Sequence, residues 1–317
     1  MKKISILIPA YNEEAVLEPL YHRLGKIADS NKSYDFEFLF VNDGSRDKTL
    51  EIIKDFAEKD RRVAYVSFSR NFGKETAMIA GFDHVTGDAT VIIDADLQDP
   101  PELIPEMIKY WEQGFDDVYA KRLSREGETW FKKFTSGLFY RILQKSTNIP
   151  IQIDTGDFRL LDHRCIEALK QIRESHRYTK GMFSWIGFKK KEIAYKRDPR
   201  IAGKTKFNYS KLLNFAIDGI LSFTTAPLRI SSILGIIISF IAFIFIAIVV
   251  IKTMIFGDVV AGYPSLMAVI LFLGGVQLLS IGIIGEYVGR IFNETKGRPL
   301  YFVEEYHGDK PAKKTRW

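Results

Sequence analysis

The chain has 317 residues, 46% of them hydrophobic, and its 45 basic against 39 acidic side chains leave a formal charge of +6. That length suffices for two ordinary domains, and the single cysteine, Cys165, excludes an internal disulfide and a cysteine-based zinc site. The positive balance would suit nucleic acid, but the basic residues crowd into RDPRIAGKTKFNYSK and the C-terminal tail and no nucleic-acid motif accompanies them, so contact with anionic lipid headgroups explains the charge better.

In chain order, MKKISILIPA imitates a signal peptide, but its apolar run is too short and Asn12, Glu13 and Glu14 follow at once. ISILIP reads instead as a first strand. NEEAVLEPLYHRLGKIA follows with apolar residues at helical spacing behind Asn12, a candidate N-cap. FEFLFV, the turn NDGS and the helix KTLEIIKDFAEK repeat the unit; RVAYVSFS and GKETAMIAGFDHV repeat it again; TVIIDAD opens a fourth. This alternation predicts an α/β domain with a mostly parallel sheet and helices on its faces, and ligands of such sheets bind at the carboxyl ends of the strands. Four polar groups fall at those ends and converge on one rim: Pro9, Tyr11, Asn12 and Glu13; Asn42 to Ser45; Arg70 to Lys74; and Asp94, Asp96 and Asp99.

Two carboxylates at i and i+2 on a strand end can both reach a hard divalent cation, and Mg²⁺ commonly takes one or two carboxylates plus substrate phosphates. DAD therefore suggests a metal bridging to a diphosphate. Asp99, ahead of Pro100 and Pro101, also suits a plain helix start. No Walker A loop, no GxGxxG after the first strand, no HExxH and no GxSxG elbow occurs.

Beyond the alternating region, FNYSKLLNFAIDGILSFTTAPL carries apolar residues at helical spacing, as a helix lying on a membrane surface would. Two uncharged stretches follow, Ile230 to Ile251 and Val259 to Gly285, each long enough for about 30 Å of hydrocarbon. They predict two transmembrane helices joined by a hairpin at Phe256 to Pro264. Arg229 precedes the first, and Arg290, Lys296, Arg298, Lys313, Lys314 and Arg316 follow the second, so both termini and the α/β domain are expected on the cytoplasmic side.

The set IPAYNEE, VNDGSRDKT, DADLQDPPE, TGDFRLLD and RIAGKTKF resembles the family 2 glycosyltransferases of the GT-A fold. Within them it is similar to the branch of dolichol-phosphate mannose synthase and the bacterial polyprenyl-phosphate glucosyltransferases. The resemblance implies inverting transfer of a hexose from a nucleotide sugar to polyprenyl (undecaprenyl) phosphate with Mg²⁺ or Mn²⁺, by an integral membrane protein that assembles as a tetramer. It implies residues 1–206 as the catalytic domain, 207–227 as an interfacial segment, 228–290 as the transmembrane hairpin and 291–317 as a cytoplasmic tail.

Carried over by residue, the resemblance puts Pro9, Tyr11 and Glu13 around the nucleotide, Asp43 on the base or ribose, Asp94 near nucleotide and sugar, Asp96 on the metal and Gln98 on sugar or acceptor. Lys74 is a lesser candidate. Asp157 matches the family's catalytic base. A polyprenyl phosphate is already anionic, however, and needs little deprotonation, so orienting the sugar or acceptor stays open as its role. An anionic nucleophile meeting an anionic donor needs cations, and the candidates are Arg122 and Arg125 in AKRLSR, then Arg200 and Lys204 with Thr205 in the hydroxyl position; Lys206 and Lys211 serve equally well as membrane-side charge. UDP-glucose is the preferred donor, while Asn42-Asp43, where many relatives carry two acids, leaves UDP-N-acetylglucosamine, UDP-galactose and GDP-mannose open. A processive polysaccharide synthase is disfavoured, because no Gln-x-x-Arg-Trp motif and no further spans occur. A non-catalytic membrane scaffold is disfavoured by the intact DAD, Asp157 and RIAGKTK.

Overall fold

In the computed structural model, which describes residues 1–123, 155–175, 177, 179–195, 226–256 and 262–309, the alternating region forms an α/β sheet as the pattern predicts. Strands β1 (Lys2–Ala10), β2 (Tyr34–Asn42), β3 (Val63–Phe68) and β4 (Ala89–Ile92) run parallel in the order β3-β2-β1-β4. Helices α1 (Leu17–Ser30), α2 (Thr49–Lys59) and α3 (Lys74–His84) make the crossovers, and α4 (Ile104–Glu112) follows β4. The central strands are apolar on both faces because both are covered, and Ile4, Ile6, Phe38, Phe40 and Val66 are fully buried. α1 buries Leu17, Leu20, Leu24 and Ile27, a single stripe at helical spacing. It starts at Leu17; Asn12, expected as its N-cap, instead takes a left-handed φ of +54° in the preceding loop. α3 lies so close to β1 that a Cβ on Gly81 would fall 2.2 Å from Leu7 Cδ1.

Three further strands extend the sheet beyond β4. β5 (Asp117–Arg122), β6 (Thr155–Asp162) and β7 (Lys190–Tyr195) complete that side in the order β7-β5-β6-β4, with α5 (His163–Gln171) and α6 (Thr179–Trp185) between β6 and β7. β6 is antiparallel to β4, with Ile92 opposite Arg159. Its first residues therefore lie beside the last residues of β4, and Asp157 comes level with Asp94. β5 and β6 are also joined by a buried ion pair: Arg159 Nη1 lies 3.0 Å from Asp117 Oδ2, both side chains are fully buried, and the Arg159 guanidinium covers the Phe183 ring at 3.9 Å.

The C-terminal segment departs from expectation. Residues 291–317 were expected as a tail, but Val303–His307 forms β8, antiparallel to β3 with Val66 opposite Tyr306, and the unit Met1–Ala216 also includes Pro299–Trp317. The open edge of β3 would otherwise present unpaired backbone groups. Tyr301 stacks on Phe68 with centroids 5.1 Å apart and donates to Asp83 at 2.7 Å, and Glu305 accepts from Tyr65 at 2.6 Å and pairs with Lys54 at 2.6 Å.

The second unit, Ile217–Arg298, contains α7 (Ala226–Phe256) and α8 (Tyr263–Thr295). Many of their apolar side chains face outward, among them Phe240, Phe243 and Leu278. Among the described residues one stretch, Phe272–Thr295, is long and apolar enough to cross a membrane, while the apolar run in α7, Ser231–Phe245, is shorter. The reading of two spans is thus narrowed here to one qualifying helix. Arg125, Arg200, Lys204, Thr205, Lys206, Lys211 and the expected interfacial helix up to Thr225 lie outside the described residues.

Removing one partner of the Arg159–Asp117 pair leaves a buried charge uncompensated. Asp117→Ala is expected to cost about 3–5 kcal/mol of stability, read from denaturant unfolding of the detergent-purified protein, whereas an apolar replacement of both partners recovers most of that loss.

Candidate active site

The carboxyl ends of the four parallel strands gather the rim residues as the sequence predicts. After β4 the chain turns at Ala95 and Asp96, and burial alternates: Ala95, Leu97 and Asp99 are buried, while Asp94, Asp96 and Gln98 remain half-buried. Leu97, fully buried, holds a left-handed φ of +58°, a conformation costly for a branched side chain and sustained here by its packing. The Asp96 carboxylate accepts from the Gln98 backbone N–H at 3.2 Å.

Asp94 faces Asp157 across the β4–β6 register, and such a pair needs a counterion. Lys74, the first residue of α3, supplies it: its ammonium lies 2.6 Å from Asp94 Oδ1 and 2.6 Å from Asp157 Oδ2. Burial works against the Lys74 charge, but the carboxylates of Asp157 and Asp94 outweigh it and raise its pKa above that of a free lysine. Burial likewise penalises the Asp157 carboxylate, yet Lys74 and then Lys180 hold it below the usual carboxylate range. Its second oxygen, Oδ1, is buried and meets no hydrogen-bond partner among the described residues. Asp157 is therefore ionised, with one oxygen fixed and one available.

Two neighbours complete the charge set. Glu75 accepts from the backbone N–H of Thr179 at 3.2 Å and from the Thr179 hydroxyl, and burial followed by the nearby Asp157 charge raises its carboxyl to about 7. Burial depresses the Lys180 ammonium against the pull of Asp157. No local motif marks Lys180, because the fold brings it there from α6; Glu75 adjoins Lys74 and was legible as the next residue of the same helix turn.

Arg122, at the end of β5, donates from Nε to the Tyr195 hydroxyl at 3.4 Å, and that hydroxyl donates to the buried Asp99. Asp99, grouped with the rim acids by sequence, thus works beneath the rim and supports an arginine through a tyrosine. A Cβ on Gly156 would press to 3.1 Å of Arg122 Nη2, so a small residue beside Asp157 leaves the guanidinium its place.

On the other side of the rim lies a cavity of about 300 Å³ lined by Tyr11, Asn42, Arg46, Arg70, Asn71 and Glu304, among others. Pro9 is buried in β1 below it, and the backbone N–H of Glu13 donates to Thr49 at 2.9 Å, tying the loop after β1 to α2. Asp43 is almost wholly buried, and its carboxylate accepts from the backbone N–H groups of Phe72 at 2.6 Å and Gly73 at 3.0 Å and from the Asn71 amide at 2.9 Å. Burial raises its pKa, partly offset by the Phe72 and Gly73 N–H groups. Expected on the base or ribose, Asp43 is here engaged by the loop that leads into Lys74. Gly44 next to it has φ +63°, and a Cβ there would come 2.3 Å from the Arg70 carbonyl carbon, so the two loops touch backbone to backbone.

Among the described residues no three His, Cys, Asp or Glu side chains form a metal cluster. Asp94 and Asp96 give the sparse oxygen set that suits a cation completed by substrate phosphates.

The family model for glycosyl transferase family 2 matches residues 5–170, and that for the GtrB C-terminal hairpin matches residues 226–291. An uncharacterized glycosyltransferase of Synechocystis sp. is 49% identical over 306 residues, covering 96% of both chains. A bactoprenol glucosyl transferase of Shigella phage SfX is 44% identical, covering 95% of this chain and 99% of its own. Among solved structures, glucosyl-3-phosphoglycerate synthase of Mycobacterium tuberculosis, in complex with Mn²⁺, uridine diphosphate and phosphoglyceric acid, superposes with a TM-score of 0.51 at 19% identity over 70% of this chain and 78% of its own, a likeness of fold.

The ionisation of Glu75 yields a stability prediction. Its folded-state pKa of about 7 exceeds the ~4.3 of an unfolded chain, so the folded protein holds an extra proton between the two. That stabilisation is complete below the unfolded value and is lost as pH rises through 7. Glu75→Gln should therefore melt higher than wild type at pH 8, with the advantage gone by about pH 4; equal shifts at both pH values would count against a buried, titrating carboxyl.

Proposed function

Because the chain belongs to glycosyl transferase family 2, we propose that it transfers glucose from UDP-glucose to undecaprenyl phosphate, inverting the anomeric carbon, at the cytoplasmic face of the membrane. The observation that carries this reading is the Lys74 ammonium shared by Asp94 and Asp157 at the end of the parallel strands. Glucose and a polyprenyl-type acceptor are supported by the relative named a bactoprenol glucosyl transferase. Membrane association is supported by the helix Phe272–Thr295 and by the match to a C-terminal hairpin; two spans and a tetramer are part of the proposal.

In this reading the nucleotide occupies the cavity beside Tyr11 and the sugar lies toward Asp94 and Gln98. Asp96, with Asp94 near it, would hold Mg²⁺ or Mn²⁺, which when bound neutralises the diphosphate leaving group. The acceptor's phosphate oxygen forms the new bond to the anomeric carbon from the face opposite the departing diphosphate. Two anions must approach each other, and Arg122, held by Tyr195, offers the acceptor a fixed guanidinium. Arg125, Arg200, Lys204 and Thr205 join it as candidates for the acceptor phosphate.

Asp157 acts here by orientation. A carboxylate held ionised by an ammonium at 2.6 Å is a weak proton acceptor, and a phosphate nucleophile has little need of one. Its fixed oxygen keeps Lys74 in place, and its free oxygen can accept a hydrogen bond from a sugar hydroxyl. A second donor, such as UDP-N-acetylglucosamine, UDP-galactose or GDP-mannose, remains an outcome of the test.

The test is transfer of labelled sugar from each donor into an organic-extractable lipid by the purified full-length protein with undecaprenyl phosphate and Mg²⁺ or Mn²⁺. A chelator-sensitive glucolipid is expected, and no lipid product from any donor would sink the reading. Asp96→Asn should lower turnover by about 100-fold or more with an unchanged melting curve. Lys74→Met should lower it comparably, and for Asp157→Asn the rate should fall without a shift in the pH profile; loss of an ionisation from that profile would restore Asp157 as a base.

A further inference from the structure

The cavity on the β1–β3 side of the rim contains a group that neither matched family stretch includes. Glu304 lies on β8, beyond residues 5–170 and 226–291, yet it lines the same cavity as Tyr11, Asn42, Arg46 and Arg70. It is exposed, and its carboxylate forms no hydrogen bond or ion pair among the described residues. Its neighbour Glu305 is fully employed on Tyr65 and Lys54. Two acidic residues in sequence thus have different tasks, one binding the strand to the domain and one left to the cavity.

The chemistry of the lining completes the argument. A carboxylate only accepts hydrogen bonds, and a guanidinium only donates them. Arg46 and Arg70 bring donors to the cavity, where Arg70 spends one of its five N–H groups on the Asn71 carbonyl. Asp43, the other acid near the cavity, has its carboxylate engaged by the 71–73 loop. Among the described residues, Glu304 is therefore the carboxylate left in the lining to accept a hydrogen bond from a ligand. A lining that combines guanidinium donors with a carboxylate acceptor suits the edge of uracil, which presents a carbonyl, an N–H and a second carbonyl. Cytosine presents an amine, a bare ring nitrogen and one carbonyl, so its ring nitrogen would meet the carboxylate lone pair to lone pair.

We propose that Glu304 is the base-reading residue of the donor site, accepting the ring N–H of uracil in the cavity it shares with Arg46 and Arg70, so that nucleotide selectivity resides on the C-terminal strand. This rests on the reading of the cavity as the nucleotide site. Selectivity of this kind is steep, because the wrong base leaves polar groups unpaired.

The experiment is binding of UDP, CDP, GDP and ADP to the full-length protein in detergent with Mg²⁺, by isothermal titration, for wild type, Glu304→Ala and Glu305→Ala. Wild type should prefer UDP to CDP. Glu304→Ala should lose about ten- to hundred-fold in UDP affinity, the range for one hydrogen bond to a charged group, with the UDP to CDP ratio falling toward one. Glu305→Ala, which loosens the strand alone, should leave the ratio unchanged. A wild-type ratio retained in Glu304→Ala would overturn the inference while the donor site stands, as would an equal weakening by both variants. Wild-type protein that binds none of the four nucleotides would overturn the donor-site reading together with it.

Discussion

Everything at the rim depends on one lysine. Parallel strands deliver their carboxyl ends to the same line, and β6 enters antiparallel beside β4, so the topology forces Asp94 and Asp157 toward each other. Like charges at such a distance cost several kcal/mol in a poorly solvated site, and Lys74 removes the cost by sitting between them at 2.6 Å from each. Its own position is set by structure rather than reach. It begins α3, whose close seating on β1 at Gly81 and whose entry loop, gripped by Asp43, leave the helix start little freedom.

The division of labour among the acids follows from burial. Asp43 and Asp99 lie below the surface and spend their carboxylates on backbone N–H groups and a tyrosine hydroxyl, so they build loops and orient neighbours. Asp94, Asp96 and Asp157 are half-buried at the strand ends, and one oxygen of Asp157 meets no partner among the described residues. The polar side chains thus form two layers, and the outer layer is held in place by the inner one.

The parallel core was legible in the sequence because its strands are apolar runs punctuated by polar turns, and the rim acids were legible because charge has no other place at the end of such a run. Asp157 came through resemblance, and its pairing with Lys74 was hidden, since a register between β4 and β6 is a fact of three dimensions. Asp43 and Asp99 show the complementary difficulty: an acid at a strand end reads the same whether it faces a ligand or an amide. β8 escaped notice because VEEYH is five residues long, two of them acidic, and lacks alternation, so its strand character comes from the edge it meets at β3. Lys180 and Tyr195 carried no motif at all; they matter because α6 and β7 bring them beside groups that the sequence already marked.

The position of β8 has a consequence for biogenesis. The sheet that begins with residue 2 is finished by residues 303–307, and both long apolar helices intervene. A ribosome therefore releases the closing strand only after α7 and α8 have emerged. Until then β3 offers a bare edge, with Tyr65 and Phe68 lacking the partners that Glu305 and Tyr301 later provide. Synthesis thus imposes an order of events: the apolar helices leave the tunnel first, and the domain that precedes them in sequence becomes whole afterwards. A chain that stalls within the hairpin is left with an unfinished sheet, and so with a cavity that lacks one wall.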